Sequence, residues 1–585
     1  MIREEFRNNL KSDCEGLRKS RSRKYDREAF QAMNRYAVGV DFGSLSGRAV
    51  VLDLSTGEVK AGALYEYPHG VMDSCLPDGT PLGDGWALQH PQDYLDVLSH
   101  TVPQVLREAG VSAEEIAAVG IDCTASTALP VRTSGKPLCF EEKFASHPHA
   151  YVKMWKHHAA QPLADEMTRL ARERGESWLP YYGGRVSSEW SLPKLWQMLR
   201  EDEEVSRAAD RWVEAADWIV WQLCGKFTPN ACAAGYKAFW RKGKGYPSRD
   251  FFAALDERLA LAVEEKLGGD PLPPGSLAGF VTKHGAALTG LAVGTPVAVG
   301  GIDAHICAPA AGIDGPGQLL AIIGTSSCHI LMSEKELTIP GICGMVEDGI
   351  LPGLFGYEAG QSAVGDCFAW YLDNCLPASV REEAAREGKG LHAYLRERAS
   401  RLRPGESGLL ALDWWNGNRS VLTDASLSGT ILGLTLRTKP EEIYRALLEA
   451  TAYGTRMIVE NYRAHGLPVE RFVASGGIPL KDPLMMQIYA DVLGMPVHIA
   501  AAAQGPAVGS AILAAVAAGR ERSGFGEVGE AVRALGKLSG DVYVPNPEAA
   551  AVYDRLFAEY REVHDFFGRG GSGVMHRLRA IRAEA

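Results

Sequence analysis

Two short segments, far apart in the chain, share the same local grammar, and this repetition constrains the fold more than any other feature. The first is Tyr36-Ala37-Val38-Gly39-Val40-Asp41, then Phe42-Gly43-Ser44-Leu45-Ser46-Gly47, then a second β-run over 48–54. The other is a β-run over 319–323, the tip Gly324-Thr325-Ser326-Ser327, and a return run over 328–332. Each reads as a β-hairpin whose tip carries Gly with Ser or Thr. Glycine tolerates positive φ at such a tip, and small side chains leave backbone N–H groups free to converge on an anion. One such hairpin is commonly no more than a turn. Two of them, each opening a long stretch of mixed helix and strand pattern, point to duplicated α/β domains facing each other across a cleft.

The chain of 585 residues is long enough for two large domains built on broad sheets. Glycine and proline cluster over 312–317, just before the second hairpin, and mark the boundary. The expected layout is a loose N-terminal tail over 1–32, a first domain over 33–312, a second over 313–550, and a C-terminal helix or tail over 551–585. The tail carries nine Lys/Arg and six Asp/Glu with no apolar run, so it is not a secretory signal, and Met33 is a candidate start of the folded part. A net charge of −11 argues against a nucleic-acid or anionic-membrane partner, since neither would meet a positive field. An anionic nucleotide must then be held by local donors and a metal ion. The 11 cysteines include no Cys-x-x-Cys pair, which suggests a reduced, cytoplasmic protein. The alanine-rich run over 499–518 is broken by Gln504, Gly505, Pro506 and Ser510, and reads as a packed helix rather than a membrane span.

Between the hairpins, 119–123 reads as a buried strand ending at Thr124-Ala125-Ser126-Thr127. Residues 193–200 and 212–223 carry apolar side chains at helical spacing. A strand over 297–299 runs into Gly300-Gly301-Ile302-Asp303-Ala304-His305. Later, a strand over 471–474 meets Ser475-Gly476-Gly477, Asp482 caps a helix with Pro483 at its first position, and Gly494 closes it. A strand over 497–499 and a helix over 507–518 follow. Ligands of open α/β sheets sit at such strand ends.

Phosphoryl transfer needs a cradle for phosphates, a metal site and a base near the acceptor hydroxyl. Gly43-Ser44 and Gly324-Thr325-Ser326 are candidates for a cradle with two sides, and no Walker-type loop exists in the chain. Asp41, at the end of the first strand, suits Mg²⁺ directly or through water. Asp303 is the best candidate base, because a strand and two glycines bring it to a crevice. His305 reads as a structural histidine. Lys237 lies among small and aromatic residues, and Glu358 is flanked by glycines that permit close ligand approach. Trp414-Trp415 reads as core rather than as a platform for adenine.

The segments Val40-Asp41-Phe42-Gly43-Ser44, Asp122-Cys-Thr-Ala-Ser-Thr127, Ser187-Ser-Glu-Trp190, Cys232–Trp240, Gly301-Ile-Asp-Ala-His305, Ile323-Gly-Thr-Ser-Ser327, Tyr357-Glu-Ala-Gly-Gln361 and Ser475-Gly-Gly477 together resemble the FGGY carbohydrate kinases, within the actin-like ATPase superfamily. The Asp122–Thr127, Gly235-Tyr-Lys237 and Tyr357–Gln361 segments are closer to the branch that acts on L-ribulose. The resemblance implies two actin-like, ribonuclease H-like α/β domains with a cleft between them. It implies ATP-dependent phosphorylation of the 5-hydroxyl of L-ribulose, a step of L-arabinose catabolism. By the same resemblance Asp303 is the general base, and Ala125 (through its backbone), Lys237, Asp303 and Glu358 hold the sugar. Gly43, Ser44, Gly324, Thr325 and Ser326 wrap the phosphates, Gly476 and Gly477 lie against adenosine, Gln504 lies near the nucleotide, and Asp41 lies near Mg²⁺. A homodimer is allowed for. Three positions depart from the family pattern: Leu45 stands where Asp is usual, Gly47 where a β-branched residue is usual, and Tyr236 where His is expected. The alternatives are a family member acting on xylulose, ribitol, gluconate or glycerol, and an actin-like or chaperone-like ATPase with no sugar.

Overall fold

The computed structural model describes residues 35–501 and 504–584; the expected tail before Met33 lies outside them. The first hairpin is β1 (Tyr36–Phe42) and β2 (Ser46–Asp53), antiparallel, with Asp41 opposite Arg48 and Phe42 opposite Gly47. β3 (Val59–Glu66) extends it outward. After α1 (Pro91–Ala109), β4 (Ile116–Cys123) joins β1 in parallel. All eight residues of β4 are buried, as expected of a central parallel strand covered on both faces. Helix α2 (Ala215–Cys224) and the short α3 (Ala231–Ala238) lead to β5 (Leu277–Phe280), β6 (Pro296–Ala298) and β7 (Gly301–Ile302). The sheet order is β3-β2-β1-β4-β6-β5, with β7 also paired to β4. α4 (Asp303–Ala310) ends this half.

The second half repeats the plan. β8 (Gln318–Ile323) and β9 (Ser327–Ser333) form the second hairpin, and β10 (Gly344–Glu347) and β11 (Phe355–Gln361) extend it. After α5 (Pro440–Ala464), β12 (Arg471–Ser475) pairs in parallel with β8. α6 (Pro483–Leu493) runs from its Asp482 cap to Gly494, and β13 (Val497–Ala500) follows. α7 (Gly505–Ala518), β14 (Leu538–Tyr543) and α8 (Pro547–Gly568) complete the lobe. The order is β10-β11-β9-β8-β12-β13-β14, so antiparallel strands (β3-β2-β1 in the first lobe, β10-β11-β9-β8 in the second) lead into parallel strands in both lobes.

One helix of each half, α4 and α7, lies on the sheet of the other. Cys307 and Ala308 of α4 pack against Leu320, Ile330 and Val473 of the second sheet. Ala507, Val508, Ala511 and Ile512 of α7 pack against Ala37, Val50, Leu52 and Ala117 of the first. Contact here is backbone to backbone. A Cβ on Gly39 would lie 1.8 Å from the Ala507 carbonyl oxygen, one on Gly120 2.1 Å from Ser510 O, and one on Gly509 1.8 Å from Ile306 O. Glycine alone permits this approach. The alanine-rich run is thus a buried helix, and among the described residues no helix is long and apolar enough to cross a membrane.

Two expectations need correction. Residues 212–214 are not helical: Arg211–Glu214 is a strand, with Val213 opposite Leu129 and Trp212 opposite Pro130, and helix begins only at Ala215. Pairing with a distant strand overrides the local spacing there. The C-terminal helix starts at Pro547 rather than 551, and its Tyr553, Phe557 and Tyr560 belong to the core of the second lobe rather than to a separate tail. Trp414 is buried in that same core, as expected.

Candidate active site

The two hairpin tips have their carbonyls engaged from behind. Gln89 Nε2 donates to Gly43 O (3.3 Å) and Ser44 O (2.9 Å), and Tyr94 Oη donates to Gln89 Oε1 (2.7 Å). At the second tip, Gly365 N donates to Gly324 O (3.0 Å), while Val364 N and Asp366 N donate to Thr325 O (2.9 and 3.2 Å). In a trans peptide the N–H points opposite to the C=O. Fixing these carbonyls therefore turns the N–H groups of Ser44, Leu45, Thr325 and Ser326 the other way, as an anion cradle requires. Trp155 Nε1 donates to Ser44 Oγ (3.0 Å), and Leu45 stands at the tip 62% exposed. Gly47 has a local reason: a Cβ there would come within 2.6 Å of the Val97 side chain on α1.

Gly476 has φ +106°, and a Cβ on it would lie 2.4 Å from Ile323 O, so β12 turns away from β8 at a point only glycine can occupy. Around Gly477 and Gly324 no atom comes within 4 Å of such a Cβ, and both face open space. Gln504 departs from this group. Its backbone precedes α7, but its side chain is turned to Gly62 on β3, where a Cβ would meet Oε1 at 3.0 Å. The structure does not bring that side chain together with the glycines.

Asp303 is the first residue of α4, immediately after β7, and is part-exposed at the seam of the lobes. Its Oδ1 accepts from Ala304 N (2.7 Å). Burial of the carboxyl, together with the nearby Asp41 charge, pushes its pKa up to about 7. Asp41 is buried at the end of β1, with Arg48 Nε 3.3 Å from its Oδ2. Burial raises its pKa, and Arg48 partly offsets this. Beside it, Asp122 at the end of β4 is held well above the usual carboxylate range by burial and by the Asp41 charge. Asp122 Oδ2 accepts from Ser510 Oγ of α7 (2.6 Å), which ties the strand end to the other half.

Lys237 and Glu358 meet across the lobes. Lys237, on α3, is 4% exposed; Glu358, on β11, is 1% exposed. Lys237 Nζ donates to Oε2 at 3.0 Å and to Oε1 at 3.3 Å. His305 Nε2 lies 3.3 Å from Oε2 without the angle of a good hydrogen bond. Burial opposes the ionisation of Glu358, but Lys237, His305 and Arg419 outweigh it and hold the carboxyl well below its ordinary range. Burial likewise opposes the Lys237 charge, and Glu358 more than restores it. Tyr236 packs beside this pair: its ring lies tilted against His305 with centroids 4.3 Å apart, Lys237 Nζ is 5.8 Å from its centroid, and it fills the seam against Gly344 and Gly356.

Ala125 sits in a loop with an unusual backbone, where Ser126 has φ +50°. Lys194, fully buried, donates from Nζ to Ser126 O (2.7 Å) and Met154 O (2.8 Å) and holds the loop in place. Thr124 and Thr127 share a 2.7 Å hydroxyl contact across it. Three polar residues of this region were given no role from the sequence: Lys194, Arg419 and, although its segment was noted, Asp122. Lys194 lies on an apolar-patterned helix, where a lysine reads as an exposed side chain. For Arg419 the only signal is the Asn416-Gly-Asn turn before it.

The N-terminal domain of the FGGY family of carbohydrate kinases matches residues 36–308, and the C-terminal domain of the same family matches 319–518. The chain belongs to this family. Ribulokinase from Anoxybacillus flavithermus is 51% identical over 546 residues, 93% of this chain and 97% of that protein. Ribulokinase from Mycolicibacterium smegmatis is 49% identical over 554 residues, 94% and 97% of the two chains. Among solved structures, xylulose kinase from Rhodospirillum rubrum superposes with a TM-score of 0.73 at 25% identity, covering 91% of this chain and 98% of that one. This FGGY chain is therefore a carbohydrate kinase with the two-lobed α/β fold expected of it.

Proposed function

We propose that this FGGY kinase transfers the γ-phosphoryl group of ATP to the 5-hydroxyl of L-ribulose, giving L-ribulose 5-phosphate and ADP in L-arabinose catabolism. The observation that carries this reading is the buried Lys237–Glu358 pair beside the part-exposed Asp303, at the seam between two turned-out hairpin tips. Identity near 50% to ribulokinases over more than nine-tenths of the chain supports ribulose over other ketoses and polyols.

In this mechanism Lys237, Glu358 and the Ala125 backbone orient the ketose so that its 5-hydroxyl faces Asp303. The carboxylate accepts the hydroxyl proton as the sugar oxygen bonds to the γ-phosphorus and the bond to the β-phosphate oxygen breaks. Backbone N–H groups of Ser44, Thr325 and Ser326 stabilise charge on the phosphates. Gly476 and Gly477 leave room for the adenosine. Hard carboxylate oxygens suit Mg²⁺, which takes one or two carboxylates and completes its shell with water and phosphate. Among the described residues no three His, Cys, Asp or Glu side chains converge as a ligand set; Asp41, at the end of β1 just before the first hairpin tip, is the residue that would hold the ion. When bound, Mg²⁺ supplies positive charge to the phosphates. Closure of the lobes excludes water, the competing acceptor.

A panel of ketoses and polyols with coupled ADP detection tests the reading. L-ribulose is expected to give the highest kcat/KM; a higher value for xylulose, gluconate or glycerol would reassign the substrate. ADP release indifferent to every sugar would favour the ATPase alternative. A second expectation concerns Lys237. Removing Lys237 takes away a charged donor to the sugar, so Lys237→Ala should raise KM for the sugar about tenfold or more, the usual worth of a hydrogen bond to a charged group. KM for ATP should change little, and equal increases in both would make Lys237 structural.

A further inference from the structure

Glu358 is held by more than its lysine. Arg419 Nη2 donates to Oε1 at 2.5 Å, and Arg419 Nε reaches Cys343 Sγ at 3.1 Å. Arg419 comes from the loop between Leu410–Leu412 and Thr430–Leu432 in the second lobe, whereas Lys237 and His305 come from the first. Both Glu358 oxygens are thus occupied, one lobe supplying Lys237 and His305 and the other supplying the guanidinium. Gly360, two residues along β11 and so on the same face, lies against the Ser327 carbonyl oxygen, which a Cβ there would meet at 2.5 Å, and Arg419 Nη1 is 3.3 Å from the same point. The arginine side chain is 32% exposed, whereas the carboxylate it holds is 2% exposed.

We propose that Arg419 is a positioning residue of the sugar pocket, clamping Glu358 so that Lys237 is free to donate to the ketose. The inference rests on the sugar-kinase reading. A buried lysine and glutamate alone would satisfy one another, and a sugar hydroxyl that drew on the lysine would leave the carboxylate uncompensated. A second cation on the carboxylate removes that conflict. The guanidinium fork also fixes the carboxylate plane, which an ammonium group cannot do. The sugar pocket therefore draws its geometry from both lobes, and it is complete only when the loop around Arg419 is seated on β11.

The test is a double-mutant cycle with R419Q and E358Q, read as KM for L-ribulose and KM for ATP, with thermal melting to confirm folding. Each single change is expected to raise the sugar KM about tenfold or more, the worth of a hydrogen bond to a charged group, with kcat reduced less. The pair together should do no more than the larger single change, because Arg419 acts through Glu358, while KM for ATP stays within about twofold. R419K should recover part of the loss, and it takes the place of R419Q in the cycle if that variant does not fold. Additive effects of the two changes, or an unaltered sugar KM in folded R419Q, would overturn the inference. Wild-type enzyme that shows no ribulose-dependent ADP release would instead overturn the sugar-kinase reading, so the two failures are told apart by the wild-type control.

Discussion

Asp303→Asn is expected to lower kcat by roughly 10²–10⁴-fold, the usual worth of a positioned base, with KM for ATP close to wild type. The amide keeps the size of the side chain and the hydrogen bond from Ala304 N, so the variant isolates proton acceptance from packing. The titration of the same group gives an independent check. Burial, helped by the Asp41 charge, pushes the carboxyl up to about 7. A base with a raised pKa is protonated, and inactive, below that value. Thus kcat/KM for the sugar should fall as pH drops below about 7 and level off above it, since this parameter reports the free enzyme. Asp303→Asn should lose that acid limb. Near-normal turnover in the variant, or an acid limb that survives the substitution, removes Asp303 from the mechanism.

Gly39→Ala should destabilise the protein by about 1–3 kcal/mol or more, although it adds a single methyl group. The new Cβ would stand 1.8 Å from Ala507 O, and backbone cannot rotate away as a side chain can. Helix α7 would have to lift from β1, and with it Ser510, which bonds Asp122, and Gly505, which lies beside Ser475 at the head of Gly476-Gly477. Activity should therefore fall together with stability. Gly390→Ala serves as the control: its Cβ would meet nothing within 4 Å, and φ there is −67°, so no loss is expected. Urea unfolding of the three proteins decides the matter, and midpoints for Gly39→Ala and Gly390→Ala that agree would show that α7 is not packed on β1 as described.

Much of the site was legible in the sequence because its parts are local. A hairpin tip of Gly and Ser, an Asp after a strand and two glycines, and a Gly-Gly at a strand end each declare themselves within a few residues. Tyr236 shows the limit of such reading. It stands next to the buried Lys237, yet its ring fills the seam between the lobes beside His305. Residues 212–214 show another: their spacing fits a helix, but a strand some eighty positions earlier captures them. Gln504 sits at the head of the helix as expected, while its side chain answers to Gly62 of the first sheet.

The sequence alone determined the duplicated hairpins, the two-lobed α/β class and the identity of the candidate base, because each follows from short-range sterics and hydrogen-bonding capacity. Only the tertiary structure decided that each half lends a helix, α4 or α7, to the sheet of the other, and that Glu358 is shared between Lys237 and His305 on one lobe and Arg419 on the other. Those choices depend on which distant backbones can touch and which buried charges must be balanced. Such requirements are set by three-dimensional proximity, and no local pattern of residues records them.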